Sequence, residues 1–138
     1  ELHVFNIKDK FYERGEEIVK LINKETGCKA YMYDLADKDK LKAEMQAADI
    51  FCDATGVGMH PLEEMSNIPD GSFFKEDLIV TDTVYAPRET VMMKQAKAAG
   101  VKKLYNGMGM MLFQALIAIK LYTGKDTDVA YMKEKLGI

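Results

Sequence analysis

The residue pattern predicts an α/β protein built on a doubly wound parallel sheet. Three observations carry this. Short β-branched and aromatic runs alternate with stretches of helical periodicity almost without a break. The intervening helical stretches run to about 10–15 residues, the length that returns a chain to a parallel neighbour by a right-handed crossover. One long connection, residues 55–75, follows a strand, and in an open α/β sheet such a loop lies at the carboxyl edge, where ligands bind.

Taken in order, Leu2–Asn6 (LHVFN) reads as a short strand. A helix follows from Tyr12 to about Lys24, with Ile18, Val19, Leu21 and Ile22 at helical spacing and Gly27 ending it. Next come a strand at Lys29–Tyr33, a helix over about Lys38–Ala47, and a buried strand at Asp49–Ala54. After a loop holding two prolines, Leu78–Asp82 reads as a fully buried strand. Thr90–Ala99 is a helix closed by Gly100, Lys103–Tyr105 a short strand, and Met110–Tyr122 a strongly apolar helix. A more polar helix covers about Asp128–Leu136. No internal repeat or second domain is visible, so the 138 residues are expected to form one domain.

Composition narrows the function. A hydrophobic share of 48% and a charged share of 30% fit a globular protein. A net charge of −3 and a pI near 5.4 leave no basic stripe to neutralise phosphates, which argues against nucleic acid as a partner. Cys28 and Cys52 stand 24 positions apart, outside any metal spacing, and read as two reduced, buried thiols of a cytoplasmic protein. The stretch from Gly107 to Ile119 falls short of a membrane span, and the first residues do not read as a secretory signal. With only His3 and His60 and no paired carboxylate, no metal site is expected.

Four local features bear on chemistry. In FNIKDKF, residues 5–11, a strand runs into Asn6 and then Asp9. A carboxylate there either accepts hydrogen bonds from ribose hydroxyls or merely favours the helix start. In ATGVGM, Gly56 and Gly58 permit close backbone approach to a ligand, or a plain turn. TDTVYAP sets Tyr85 beyond a strand end, as a ligand contact or an ordinary rim residue, with Pro87 turning the chain out of the sheet. In NGMGMMLFQALIAIKLYTG a glycine pair opens an apolar helix that carries a single amide, Gln114. A buried amide left without a partner costs about 1–3 kcal/mol. Gln114 is therefore expected either to bond the backbone or to face a polar ligand.

A nucleotide-binding sheet normally begins with a strand and a glycine-rich turn that seats the pyrophosphate, and neither stands at the start of this sequence. The ordered set of motifs explains this. It resembles the shikimate dehydrogenases and quinate/shikimate dehydrogenases, which carry N-x-T-x-V-G-M-x-P, V-Y-N-P, G-x-G-M-L-x-x-Q-x-A and W-T-G in that order. This chain gives Asp53 through Pro61, Val84 through Pro87, Gly107 through Gln114, and Tyr122-Thr123-Gly124. Asp53, Ala86 and Tyr122 depart from the family's Asn, Asn and Trp. Asp9, Phe11, the helix after them and Pro61-Leu62-Glu63 look more like the quinate/shikimate branch.

The resemblance implies a Rossmann-like domain lacking its first strand and glycine-rich loop, which would lie upstream of Glu1. It implies reversible oxidation of shikimate to 3-dehydroshikimate, or of quinate to 3-dehydroquinate, in aromatic amino-acid biosynthesis, with NAD or NADP. Ile7, which offers a 2′-phosphate neither charge nor hydrogen bond, and the Asp9 carboxylate make NAD the expected preference. The family's proton-transferring Lys and Asp lie on an N-terminal domain, so no residue here is assigned that role and this chain alone is expected to be inactive. The resemblance assigns the cofactor to Asn6, Ile7, Lys8, Asp9, Gly56, Thr83, Val84, Tyr85, Ala86, Gly107 and Met110. It assigns substrate to Tyr85 and Gln114, and it is compatible with a homodimer. A non-catalytic nucleotide-binding or assembly module derived from the same fold is the competing expectation.

Overall fold

Every strand pairs in parallel, as the alternating pattern predicts. The computed structural model describes all residues, 1–138, and they fall into two compact units, Glu1–Ala47 and Ala48–Ile138. In the first unit β1 (Leu2–Asn6), α1 (Tyr12–Glu25), β2 (Ala30–Asp34) and α2 (Lys38–Ala47) follow in order. β1 lies beside β2 with Leu2 opposite Ala30 and Asn6 opposite Asp34, so the two carboxyl ends are level. A Cβ on Gly15 would stand 2.6 Å from Met32 Cε, which shows how closely α1 rides on β2. Asn23 secures that packing, because its amide both donates to and accepts from the backbone of Ala30, each at 2.8 Å. α1 ends at Glu25, one residue past the expected Lys24, and Thr26 caps it, because the Thr26 hydroxyl and N–H both bond Ile22 O. In α2 the buried pair Leu41 and Met45, four residues apart, forms the inward stripe.

The second unit holds β3 (Ile50–Asp53), β4 (Ile79–Asp82), α3 (Val91–Ala98), β5 (Lys103–Tyr105), α4 (Met108–Thr123) and α5 (Val129–Leu136). Its sheet runs β3-β4-β5, with Asp53 opposite Asp82 and Thr81 opposite Tyr105. The long connection between β3 and β4 contains a short 3-10 turn, Gly71–Phe73, that the sequence reading treats as plain loop. Asp70 caps it by accepting from Ser72 N–H at 2.7 Å. Leu78, Val80, Ile68, Phe73, Phe74, Met92, Met93, Ala96 and Val101 form the core. β4 is less enclosed than expected: Val80 and Asp82 are buried, while Ile79 and Thr81 are only half-buried.

Three further burial expectations fail. β3 is not a buried strand, since it is an edge of its sheet and leaves Ile50 and Cys52 exposed. Both cysteines are free thiols, but Cys52 is exposed and Cys28 only half-buried. α4 starts two residues earlier than predicted and ends at Gly124, whose φ of 69° suits the glycine there. Only Met108 and Leu112 of α4 are buried, so its apolar character does not make it a core helix in this chain. No helix is long and apolar enough to cross a membrane.

Candidate nucleotide and substrate site

Most of the residues singled out in the sequence lie at strand carboxyl ends, in two groups, while Met110 and Gln114 lie on α4. In the first unit, Asn6 closes β1 and its Oδ1 accepts the Ile7 N–H at 3.0 Å. Asp9 N–H bonds Ile7 O, and Asp9 Oδ1 accepts from Phe11 N–H at 2.9 Å. The 6–11 segment is thus a tight turn braced by its own side chains, with Ile7, Lys8 and Asp9 exposed. Asp9 serves the helix start with one carboxylate oxygen, so the two readings of this residue are compatible. Lys8 Nζ lies 3.3 Å from Asp34 Oδ2 at the end of β2. The Asp34 carboxyl is held below its usual range, first by the Ala36 N–H and then by Lys8.

The second group surrounds the ends of β3, β4 and β5. Gly107 comes against β4 so closely that a Cβ there would stand 2.1 Å from Thr83 O and 3.1 Å from Val84 C. That approach lets Gly107 N–H reach Val84 O at 2.9 Å. Asn106 extends the link, donating from Nδ2 to Arg88 O at 2.9 Å and accepting Met108 N–H at 3.1 Å. Gly107 is thereby hydrogen-bonded at Val84 to the segment that carries Thr83, Tyr85 and Ala86. Val84 is buried within it, while Tyr85 (45% exposed) and Met110 (56% exposed) present their side chains outward. The Ala86–Pro87 peptide is cis. Gly56 is exposed in the loop after β3, and the buried Gly58 beside it has φ of 96°, where any other residue would be strained.

Gln114 requires a correction. The sequence places it in an apolar helix and so predicts a buried amide, whereas in this chain its side chain is exposed on α4. The penalty argument for a buried, unpartnered amide therefore does not apply. Hydrophobicity on all sides of a helix shows that something covers it only when the covering element is present.

Sequence reasoning also missed a buried polar pair at the floor of the second group. Asp53 and Asp82 end adjacent strands and are almost fully buried, as is Thr90. Asp53 Oδ1 accepts from both Thr55 N–H (2.9 Å) and Thr55 Oγ1 (2.7 Å), and Asn67 Nδ2 donates to Asp53 Oδ2 at 3.1 Å. Asp82 Oδ1 accepts Val84 N–H at 2.8 Å, and Oδ2 accepts the Thr90 hydroxyl at 2.7 Å. Burial pushes the Asp82 carboxyl up, its two donors oppose this, and Asp53 adds to the rise. Thr90 heads the predicted helix and is a residue type that caps helices, while nothing local in the sequence points to its partner Asp82.

The sign of that shift sets a pH dependence. A carboxyl whose proton affinity is higher folded than unfolded stabilises most below the unfolded pKa of about 3.9, and this contribution is lost as pH rises through the folded value. Each tenfold difference in proton affinity corresponds to about 1.4 kcal/mol. Asp82→Asn, which cannot ionise, is therefore expected to gain stability relative to the parent as pH rises above about 4. Urea unfolding of both proteins across that range checks it. A difference between them that is flat in pH would contradict the assignment.

Parallel strands in two sheets, with helices between most of them, match a Rossmann-like nucleotide-binding domain. No protein-family model matches the chain. Individual relatives do. The shikimate dehydrogenase (NADP(+)) of Streptococcus uberis is 47% identical over 136 residues, covering 99% of this chain and 46% of that protein. The homologue of the same name from Listeria monocytogenes is 41% identical over the same span. Among solved structures, shikimate 5-dehydrogenase from Listeria monocytogenes in complex with shikimate and NAD superposes with a TM-score of 0.90 at 40% identity, covering 97% of this chain and 46% of that one. Quinate dehydrogenase from Corynebacterium glutamicum in complex with NAD gives 0.80 at 30% identity, over 100% of this chain and 46% of that one. The chain belongs to the shikimate dehydrogenase family and corresponds to its C-terminal, nucleotide-binding part. It spans about half the length of the curated relatives it matches.

Proposed function

We propose that this chain forms the cofactor half of a dehydrogenase that reversibly oxidises the ring hydroxyl of shikimate or quinate with a nicotinamide dinucleotide. The observation that carries this reading is the glycine-only approach of Gly107 to Thr83 and Val84, which joins two motifs of the family into one outward-facing patch. In the reading, Thr83, Val84, Tyr85, Ala86, Gly107 and Met110 wall the nicotinamide ring, Gly56 gives it backbone room, and Tyr85 and Gln114 contact the substrate. The exposure of Tyr85, Met110 and Gln114 suits that role, since a contact residue must be open before the ligand arrives. When bound, the dinucleotide supplies hydride chemistry, and the chain's share is orientation and exclusion of water. Steady-state assay of the full-length protein with both acids and both dinucleotides tests the reading. Absence of turnover in all four combinations would refute it.

Asn6, Ile7, Lys8 and Asp9 form the adenine-ribose end, and their chemistry favours NAD. Ile7 offers a 2′-phosphate neither charge nor hydrogen bond. Asp9 sets a carboxylate where the ribose hydroxyls would lie, and unit charges about 4 Å apart repel by about 1–4 kcal/mol between bulk water and a protein surface. Lys8, a nearby cation that could offset this, is engaged by Asp34. The relatives' own cofactors span both forms, with NAD in the two complexes above and NADP(+) in the names of the curated homologues. The full-length protein is expected to use NAD at least as efficiently as NADP, and Asp9→Ala should raise the NADP-to-NAD ratio of kcat/KM about tenfold. A tenfold preference for NADP in the unmodified protein would overturn this electrostatic reading.

A further inference from the structure

We propose that Asp82 and Thr90 together act as a positioning device that holds the substrate- and nicotinamide-contacting loops in register, a role that rests on the function proposed above. Neither residue can touch a ligand, because both are buried, with Thr90 only 1% exposed. Their placement is nonetheless central. Asp82 is the last residue of β4 and Thr90 caps α3, so the bond from the Thr90 hydroxyl to Asp82 Oδ2 closes the intervening loop at its base. The other carboxylate oxygen holds Val84 N–H, which fixes the turn that leads into Tyr85. Val84 in turn receives Gly107 N–H on its carbonyl, so the start of α4 is set by the same carboxylate at one remove.

Thr90 reaches a third loop. Its Oγ1 accepts Met93 N–H at 3.3 Å while donating to Asp82, so the hydroxyl is fully committed. Its methyl faces Gly58 so closely that a Cβ there would stand 2.8 Å from Thr90 Cγ2. The loop after β3 is therefore seated against the side chain that closes the loop after β4. A buried carboxylate with two directional donors is a stiff joint, because each lost bond leaves a desolvated charge without a partner. Ordinary capping explains the Met93 contact, but it does not require a carboxylate eight residues upstream. Val could fill the same volume as Thr90 and lacks only the hydroxyl that makes the joint.

The test uses the full-length protein, first confirmed to turn over shikimate, so that failure of the functional reading appears in the parent and not in the variants. Thr90→Val is expected to raise the KM for shikimate at least about fivefold and to lower kcat, because Tyr85 and the nicotinamide wall lose their common base. The KM for the dinucleotide should change less than about twofold, since its adenosine end is held by other residues. Thr90→Ser keeps the hydroxyl and should restore both KM values to within about twofold of the parent. A purely structural role would reduce the active fraction and leave both KM values in place. That result in Thr90→Val would overturn the proposal, and so would a shikimate KM raised fivefold in Thr90→Ser. The serine variant keeps the proposal falsifiable should Thr90→Val not fold.

Discussion

Gly107→Ala is expected to cost the full-length protein at least about 100-fold in kcat/KM, equivalent to about 2.7 kcal/mol of transition-state stabilisation. The added methyl would stand 2.1 Å from Thr83 O and 2.7 Å from Thr83 C, and both are backbone atoms at the end of a central strand. No rotamer change relieves such a contact. Either β4 or the start of α4 must move, and with it goes the Gly107 N–H to Val84 O bond. Overpacking of this kind also destabilises, by about 1–3 kcal/mol or more. Gly109, two residues on, is the control for stability. A Cβ there meets nothing within 4 Å, and alanine favours a helix interior over glycine by about 0.5–1 kcal/mol. Gly109→Ala should unfold no earlier than the parent. Parent-like kinetics in Gly107→Ala, measured on protein of intact fold, would refute the close-approach argument.

The second large effect concerns stability. Leu78→Ala should destabilise the chain by about 2–5 kcal/mol, since it empties a site at the centre of the second unit's core. Leu78 is 0% exposed, and its N–H is anchored to Lys75 O at 3.1 Å immediately before β4. Leu121→Ala should change the stability of the same chain by no more than about 0.5 kcal/mol. Leu121 is 79% exposed although it sits in the strongly apolar helix that the sequence predicts over Met110–Tyr122. Urea unfolding of both variants checks the pair. Equal losses would mean that α4 is packed in solution in a way this structure does not show.

The contrast between these leucines marks where sequence reading stops. Hydrophobicity told that Leu78 and Leu121 both prefer an apolar surrounding, and it could not tell which of them has one. The same limit produced the misplaced expectation for Gln114. Its neighbours in sequence predict a buried amide, while its exposure depends on what lies against α4 in space. Cys52 failed likewise, because a strand's β-character does not reveal whether the strand is central or at an edge.

What the sequence determined by itself is the order and type of nearly every element, the parallel pairing, and the family, since periods of two and 3.6 and ordered local motifs are properties of neighbouring residues. Glycines at 107 and 124 could be marked as special from their positions alone. Only the tertiary structure decided that Gly107 answers to Thr83, that Asp82 and Thr90 close the loop carrying Tyr85, and that Gly58 rests on Thr90. Those contacts join residues 8–32 positions apart through strand ends and a helix cap. The physical reason is that a hydrogen bond or a steric stop of this kind is fixed by where the backbone crosses itself, which the local preferences of either partner do not encode.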